Sequence, residues 1–241
     1  MTTKNIKIFV GWDSRENDAY VVCKHSLQRL SSTKLEIEPL VRSELIDKGL
    51  YRRKWHRNDV GVVVDDIDEK PFSTEFSFTR FLVPTLMQFE GWAMFVDLDF
   101  LYRTDVNKLF SLADSRYAIM CVKHNHMPVE SMKMDGVPQT TYPRKNWSSM
   151  VLWNCSHPAN REVTAEKVNT MPGSWLHRFS WLSDELIGGV PEEWNWLEGH
   201  SSSKIKPNAI HYTRGGPWFE NYKDVAYAQE WVNEFELAKK A

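Results

Sequence analysis

The sequence predicts a single doubly wound α/β domain with a mainly parallel central sheet, and three observations support this. A strand–loop–helix–strand pattern opens the chain between residues 6 and 40. The almost wholly apolar run at 92–96 is typical of a central strand buried on both faces. The length of 241 residues suits one domain over residues 1–241 and is short for two.

The opening pattern contains the first candidate binding loop. Residues 6–11 predict a buried strand, which ends in a loop of turn residues at 11–14. Apolar residues recur at helical spacing over 17–30, and residues 35–40 alternate as a second strand does. Ligands of doubly wound sheets bind beyond the carboxyl ends of the strands. The 11–14 loop is therefore expected to contact a ligand.

The remaining elements follow from similar patterns. Residues 79–87 predict a helix that Pro84 either begins or bends. Residues 124–145 are polar, contain three prolines and a glycine, and predict a long functional loop. Further strands are expected at 117–122, 149–153 and 209–211, and further helices at 163–168, 183–187 and 224–240.

Composition narrows the class of protein. A formal net charge of -2 gives no electrostatic reason to expect nucleic acid or a membrane surface as a partner. No apolar run is long enough to span a bilayer, and the first residues lack the pattern of a secretory signal. The three cysteines show neither zinc spacing nor a disulfide framework. A reduced, cytoplasmic protein is expected.

Two carboxylates mark the end of the most hydrophobic strand. Asp97 and Asp99 flank Leu98, and strand alternation would place both on the same side. Two neighbouring carboxylates repel, and without a partner one of them keeps its proton. A hard divalent cation such as Mg²⁺ or Mn²⁺ resolves the repulsion and also takes diphosphate oxygens. The alternative is an ordinary strand end that caps a turn or pairs with lysine.

Several motifs together resemble a known family. The segment 77–84, which contains Arg80, and the following 95–99 resemble the centre of the GT-A glycosyltransferases of family 8. That family includes glycogenin and bacterial lipopolysaccharide galactosyltransferases. Further stretches similar to its motifs follow in the same order, at 148–154, 182–185, 191–195 and 206–218. The resemblance covers most of the chain and implies the nucleotide-diphospho-sugar transferase fold.

The resemblance implies a metal site. It assigns Mn²⁺, or Mg²⁺, to the carboxylates of Asp97 and Asp99 and to His211 of the closing motif. An imidazole beside two carboxylates favours Mn²⁺ over Ca²⁺. The alternative for His211 is a packed histidine at a strand end.

The resemblance also implies nucleotide contacts. Trp12 would stack on the base and Asp13 would accept from uracil or ribose, whereas the alternative is a plain turn with Asp13 or Ser14 as N-cap. The family commonly has a diphosphate-binding lysine where Gly216 stands, and Arg214 is expected to supply that charge. The complete expected nucleotide set is Val10, Gly11, Trp12, Asp13, Leu98, Arg214 and Gly215.

Sugar-binding and catalytic residues are implied in the same way. Arg80 matches an arginine that contacts the donor sugar and diphosphate, and Ser148 and Ser149 match small residues that let the sugar approach. Asp184 and Glu185 stand where the family usually has Asp-Gln. The Glu185 carboxylate is expected to act as a nucleophile or to stabilise an oxocarbenium-like transition state. The alternatives are hydrogen bonding to sugar hydroxyls or a solvated position.

These expectations combine into a metal-dependent transfer of a hexose from a nucleotide-diphosphate sugar, UDP-glucose or UDP-galactose, to a hydroxyl acceptor with retention. The acceptor is a saccharide, a lipid-linked molecule or a small molecule, and the oligomeric state stays open. The alternatives are an inverting or nucleotidyl transferase on the same scaffold, or a non-catalytic nucleotide- or carbohydrate-binding protein. The basic run 52–57 and the imidazoles at His124 and His126 are interpreted as surface features; the alternatives are recognition of an anionic acceptor or phosphate by the basic run and metal binding by the imidazoles.

Overall fold

The structure, a computed structural model, describes residues 6–124 and 144–241. The strands are β1 (Ile6–Gly11), β2 (Leu35–Leu40), β3 (Trp55–Arg57), β4 (Val63–Asp65), β5 (Trp92–Val96), β6 (Phe100–Tyr102), β7 (Ile119–Cys121), β8 (Met150–Asn154), β9 (Ile187–Gly189), β10 (Trp196–Leu197) and β11 (Ala209–His211). The α-helices are α1 (Asn17–Leu30), α2 (Arg42–Asp47), α3 (Val83–Leu86), α4 (Asn107–Phe110), α5 (Ala165–Thr170), α6 (Gly173–His177) and α7 (Ala228–Ala238). Short 3-10 helices occupy Thr79–Leu82, Trp147–Ser149, Pro158–Glu162, Asp184–Leu186, Glu192–Asn195 and Glu220–Tyr222.

The central sheet is mainly parallel, as the sequence predicts. Its six strands lie in the order β2-β1-β5-β8-β7-β9, and β8 runs antiparallel to both of its neighbours. The carboxyl ends of β1, β5, β7 and β9 therefore meet at one edge. A second sheet, β10-β11-β6, stands beside this edge, and β3 and β4 form a separate hairpin.

Helix α1 joins the two sheets into one core. Its residues Ala19, Cys23 and Leu27 pack into the main cluster of buried side chains against the central sheet. Val22, on its other side, packs with Trp231 of α7 and with the second sheet. Both faces of α1 are thus buried, which explains why its apolar residues occupy more than one narrow stripe.

The observed elements match the expected ones closely near the N-terminus and less closely beyond it. Strands β1, β2 and β5 and helix α1 have the predicted bounds. The helix expected at 183–187 is a single 3-10 turn, and the C-terminal helix begins at Ala228 rather than at 224. The sequence interpretation missed β3, β4, β6, β9 and β10 because strands of two or three residues carry little periodicity.

Two further expectations concern the long loop and the membrane. Residues 125–143 of the predicted 124–145 loop, including His126, lie outside the described residues. In the described part of the chain, no helix has both the length and the apolar character needed to cross a bilayer.

Candidate active site

Three potential metal ligands converge at the carboxyl edge of the central sheet. One ligand atom each from Asp97, Asp99 and His211 lies within 4.8 Å of the other two. Asp99 Oδ2 is 3.4 Å from His211 Nε2. These are the three residues that the sequence assigns to a metal, although His211 is more than a hundred positions away along the chain.

Strand pairing, rather than alternation within one strand, brings these groups together. Strand β5 ends at Val96, and residues 97–99 form a turn that leads into β6. Strand β6 pairs antiparallel with β11 so that Phe100 lies opposite His211. The Tyr212 amide donates to the Asp99 carbonyl at 3.0 Å, and the His211 ring stacks on Phe100 with centroids 4.4 Å apart. The alternation argument was therefore wrong about the local conformation of the motif.

A chain of hydrogen bonds sets the orientation of the His211 imidazole. Ser149 Oγ donates to the Asn146 carbonyl at 2.8 Å, so it accepts from Asn195 Nδ2 at 2.9 Å. The amide of Asn195 is thereby turned so that its Oδ1 faces His211 Nδ1 at 2.9 Å. This network assigns a proton to Nδ1 and places Nε2 facing Asp99. A histidine held in this way is typical of a metal ligand.

Arg80 acts on Asp97 rather than standing free in the cleft. Its Nη1 lies 2.8 Å from Asp97 Oδ1 and donates to the Ser148 carbonyl at 3.0 Å. The guanidinium carbon is 5.2 Å from the centroid of Phe76 and 5.0 Å from that of Phe95. Arg80 is thus buried between two rings and holds one carboxylate of the cluster in place.

The cluster has the chemistry of a divalent-cation site. Burial opposes ionisation of Asp99, but the adjacent His211 holds the pKa of this carboxyl below its usual value. Asp99 Oδ1 is buried and accepts no hydrogen bond from any residue in 6–124 or 144–241. An ionised carboxylate with an unsatisfied buried oxygen, beside an imidazole, fits a Mn²⁺ or Mg²⁺ ligand set.

The loop that follows β1 is held by hydrogen bonds to the carboxylate of Asp13. Asp13 is fully buried, and its oxygens accept from the backbone and side chain of Arg15 and from the Glu75 amide at 2.9–3.0 Å. Neither Asp13 nor Ser14 caps α1, because the N-cap position is held by Glu16. The N-cap alternative was therefore wrong, and the expected nucleotide contact of Asp13 stays a prediction.

The neighbouring residues Val10, Gly11 and Trp12 are placed by packing. Val10 is buried in β1, and Trp12 is half-buried with its Nε1 3.4 Å from Asn17 Oδ1. A side chain at Gly11 would collide with the Phe76 ring. Glycine is thus required for packing at this position, independently of any ligand.

Glu16 is a buried carboxylate that the sequence interpretation missed. It accepts from Trp218 Nε1 at 3.1 Å and so joins the loop after β1 to the C-terminal segment. Burial raises the pKa of Glu16 to about 8, and the nearby charges of Asp99 and Asp13 contribute to the shift. A glutamate just before a helix is usually solvated, so nothing in the local pattern distinguished it.

Packing accounts for the glycine at position 216, where the family that the sequence resembles commonly has a lysine. The ring of Trp218 packs over Gly216 so closely that a side chain there would collide with it. Arg214, the expected substitute for the missing lysine, is ion-paired with Glu198 at 2.9 Å and lies against Gly199. Its role toward a diphosphate stays a prediction, as do those of Gly215, which has φ of +123°, and of the buried Leu98.

The expected sugar-binding residues fall into two groups. Ser148 and Ser149 are buried beside the cluster, and the Ser149 carbonyl accepts from the Asp97 amide at 2.8 Å. Asp184 is mostly exposed and ion-paired with Arg144 at 2.5 Å, and Glu185 is exposed. The assigned roles of these four residues remain predictions.

The basic run 52–57 is only partly a surface feature. Arg53 is buried, binds Asp65 through two contacts of 2.6 Å and donates to the carbonyls of Val168 and Met171. Its guanidinium also lies 4.0 Å from the centroid of Phe78. The surface interpretation was wrong for this residue, because a short basic run carries no signal for which arginine turns inward.

Comparison with solved structures identifies the fold. The bifunctional glycosyltransferase WbbM superposes with a TM-score of 0.62 at 13% identity, over 100% of this chain and 52% of that one. GlyE of Streptococcus pneumoniae gives 0.59 at 14% identity, over 99% and 63%. The galactosyltransferase LgtC, in complex with donor and acceptor sugar analogues, gives 0.56 at 10% identity over 96% of each chain. This chain thus spans about half of WbbM and less than two thirds of GlyE.

The topology and these neighbours define a GT-A glycosyltransferase fold, which confirms the predicted fold class. The chain belongs to the family of Protein CDI from Arabidopsis thaliana, with which it is 52% identical over 238 residues, 97% of this chain and 87% of that protein. No family model matches the sequence. The narrower placement in glycosyltransferase family 8 stays a prediction.

Proposed function

We propose that this protein is a metal-dependent glycosyltransferase that moves a hexose from a nucleotide-diphosphate sugar to a hydroxyl acceptor. The observation that carries the proposal is the cluster of Asp97, Asp99 and His211 at the carboxyl edge of a GT-A sheet. The hydrogen bonds that turn His211 toward Asp99 support it, because a metal-ligating histidine typically donates its other ring N–H to a fixed acceptor.

The chain's own residues build a site for an anionic leaving group. Asp97, Asp99 and His211 would hold Mn²⁺ or Mg²⁺, and Arg80 keeps Asp97 in place. A bound divalent cation supplies charge neutralisation for the departing diphosphate. Trp12 and Asp13 are proposed to contact the nucleoside, and Arg214 and the backbone around Gly215 to contact the diphosphate.

The proposed reaction exchanges one bond at the anomeric carbon. The acceptor hydroxyl oxygen forms a bond to that carbon while the bond from the carbon to the diphosphate oxygen breaks. The hydroxyl proton passes to the leaving nucleoside diphosphate. Asp184 and Glu185 are both exposed, and we assign Glu185 to stabilising positive charge on the sugar. Retention and a UDP-linked glucose or galactose donor are the specific forms that we propose.

A donor screen tests the proposal directly. The full chain is incubated with a panel of UDP- and GDP-hexoses, with Mn²⁺ or with EDTA, and release of the nucleoside diphosphate is measured. We expect release from UDP-glucose or UDP-galactose that requires Mn²⁺ and falls at least 100-fold in Asp97→Asn and Asp99→Asn. Asp114→Asn, at an exposed ion pair with Arg116, is the matched control. Unchanged UDP affinity and turnover in both cluster variants would contradict the proposal.

The same assay distinguishes the alternatives. The anomeric configuration of the product separates a retaining from an inverting enzyme, and the release of free hexose from the donor excludes nucleotidyl transfer. Tight, Mn²⁺-dependent UDP binding without turnover of any donor would instead identify a non-catalytic nucleotide-binding protein.

A further inference from the structure

A cavity of about 430 Å³ opens beyond the carboxyl ends of β7 and β9. Its volume lies within the range of small-molecule sites, about 300 to 1,000 Å³. Its floor is aliphatic, and its polar lining consists of Lys123, His124, Glu192, His200 and Ser201. A Cβ atom added to Gly189 would meet nothing within 4 Å, so the backbone there faces open space.

The walls of this cavity are bonded to the elements that hold the metal cluster. Leu197, which lines the cavity, is the register partner of His211 in the β10–β11 pair. On the opposite side, the His124 carbonyl accepts from Trp147 Nε1 at 3.0 Å. Trp147 begins the 3-10 helix whose last residue, Ser149, accepts from the Asp97 amide at 2.8 Å. The cavity therefore adjoins the cluster and shares its supports.

The polar lining supplies hydrogen-bond donors for an anionic group beside one carboxylate. Lys123 is exposed, and its Nζ lies 5.8 Å from the centroid of the Trp147 ring. His124 and His200 add two half-buried imidazoles, whose N–H groups donate to phosphate or carboxylate oxygens. Glu192 is the one acid among the described lining residues, and its carboxylate accepts from Ser201 Oγ at 2.5 Å, which directs one of its oxygens toward Ser201.

A second cation, which is itself ion-paired, lies near this strand end. The guanidinium of Arg144 lies 5.9 Å from the centroid of the same Trp147 ring. It also donates to the carbonyls of residues 178, 179 and 182, which holds it in place, and it is paired with the exposed Asp184. Burial raises the pKa of Cys121 to about 12, and the charges of Lys123 and Arg144 oppose this shift, so both act at the end of β7.

We propose that this cavity is the acceptor subsite and that it selects acceptors carrying a phosphate or carboxylate group. The inference rests on the proposed glycosyltransferase function and names the substrate class of that same site. Lys123 and His200 bind the anionic group, and Gly189 leaves room for the acceptor ring to approach the backbone. The diphosphate of the donor also carries phosphate oxygens. The experiment must therefore distinguish binding at the acceptor subsite from binding at the donor site.

Titration calorimetry on the full chain saturated with UDP and Mn²⁺ tests the assignment, with glucose 6-phosphate and glucose as probes. We expect glucose 6-phosphate to bind in the presence of UDP at least tenfold more tightly than glucose. Lys123→Gln combined with His200→Gln should weaken glucose 6-phosphate at least tenfold and leave UDP affinity within twofold. Lys108→Gln, on the exposed side of α4, is the control, and thermal melting checks that each variant is folded.

The inference is overturned if UDP competes with glucose 6-phosphate, because the phosphate then occupies the donor site. It is also overturned if the double variant binds glucose 6-phosphate as tightly as the native chain, or if glucose binds equally well. When donor turnover persists but phosphate confers no advantage, the acceptor assignment fails and the transferase proposal stands. When neither UDP binding nor donor turnover is found, the transferase proposal fails and the acceptor assignment fails with it.

Discussion

Asn195 Oδ1 lies 2.9 Å from His211 Nδ1 and determines which face of the imidazole meets the carboxylates. Asn195 stands sixteen residues before His211, at the end of a 3-10 helix that leads into β10. The contact turns the imidazole so that His211 Nε2 faces Asp99. Asn195 thus supplies no ligand atom to the cluster, but it determines how His211 presents its own ligand atom.

Replacing Asn195 by leucine should therefore weaken metal binding. The substitution removes the acceptor for His211 Nδ1 and also the donor to Ser149 Oγ. Loss of such a supporting contact typically lowers metal affinity about 10- to 100-fold. Titration of Mn²⁺ into the variant measures it. Asn195→Asp keeps an acceptor for Nδ1 and should bind Mn²⁺ within about threefold of the native chain, on the same reasoning. Equal loss in both variants would point to packing rather than orientation.

Arg80 leads to a second prediction, because it neutralises Asp97 before any metal binds. Arg80→Met removes the ion pair from a buried site, which typically costs about 3–5 kcal/mol of the free energy of unfolding. A cation at the cluster would take over the charge of Asp97, so Mn²⁺ should restore more of the melting temperature in the variant than in the native chain. Thermal melting with Mn²⁺ and with EDTA measures the difference. A deficit that Mn²⁺ leaves unchanged would show that Arg80 acts only through packing between Phe76 and Phe95.

Glu16 predicts a pH-dependent stability. Its folded-state pKa is raised to about 8 from 4.5, so the native chain binds this proton more tightly than the unfolded chain. The resulting stabilisation is fully present below pH 4.5 and is lost as the pH rises toward 8. Glu16→Gln keeps an oxygen for Trp218 Nε1 and cannot ionise, so this part of the pH dependence should disappear. Chemical unfolding between these two pH values, in EDTA, measures the slope. Identical slopes in both proteins would refute the prediction.

The residues that could be predicted from the sequence are those with a strong local pattern. Strand β5 is apolar throughout and ends at Asp97, so both the strand and the start of the cluster could be read directly. His211 could be assigned only through the resemblance of its motif to a known family, since its strand has only three residues. Asn195 and Glu16 could not be recognised, because each acquires its role from a partner that strand pairing or the C-terminal segment brings to it.

The buried pair of Arg53 and Asp65 provides a test of the fold away from the cluster. Both side chains are 1% exposed, and Arg53 also holds two carbonyls of the segment around α5. Asp65→Asn leaves the guanidinium uncompensated, which typically costs about 3–5 kcal/mol. Arg52→Met, which breaks an exposed pair with Glu166, should cost at most about 1 kcal/mol. Urea unfolding of the two variants measures the contrast, and similar losses would show that the buried pair contributes no more than a surface one.

Glu185 offers the sharpest test of the proposed chemistry, because its exposed side chain can be changed at little cost to folding. Glu185→Gln keeps the shape and removes the charge. If the carboxylate stabilises positive charge on the donor sugar, kcat should fall about 100-fold or more while KM for the donor changes little. Glu220→Gln, at a side chain that is 91% exposed, is the matched control. A fall in affinity without a fall in kcat would assign Glu185 to hydrogen bonding with sugar hydroxyls, and unchanged kinetics would leave it as a solvated residue.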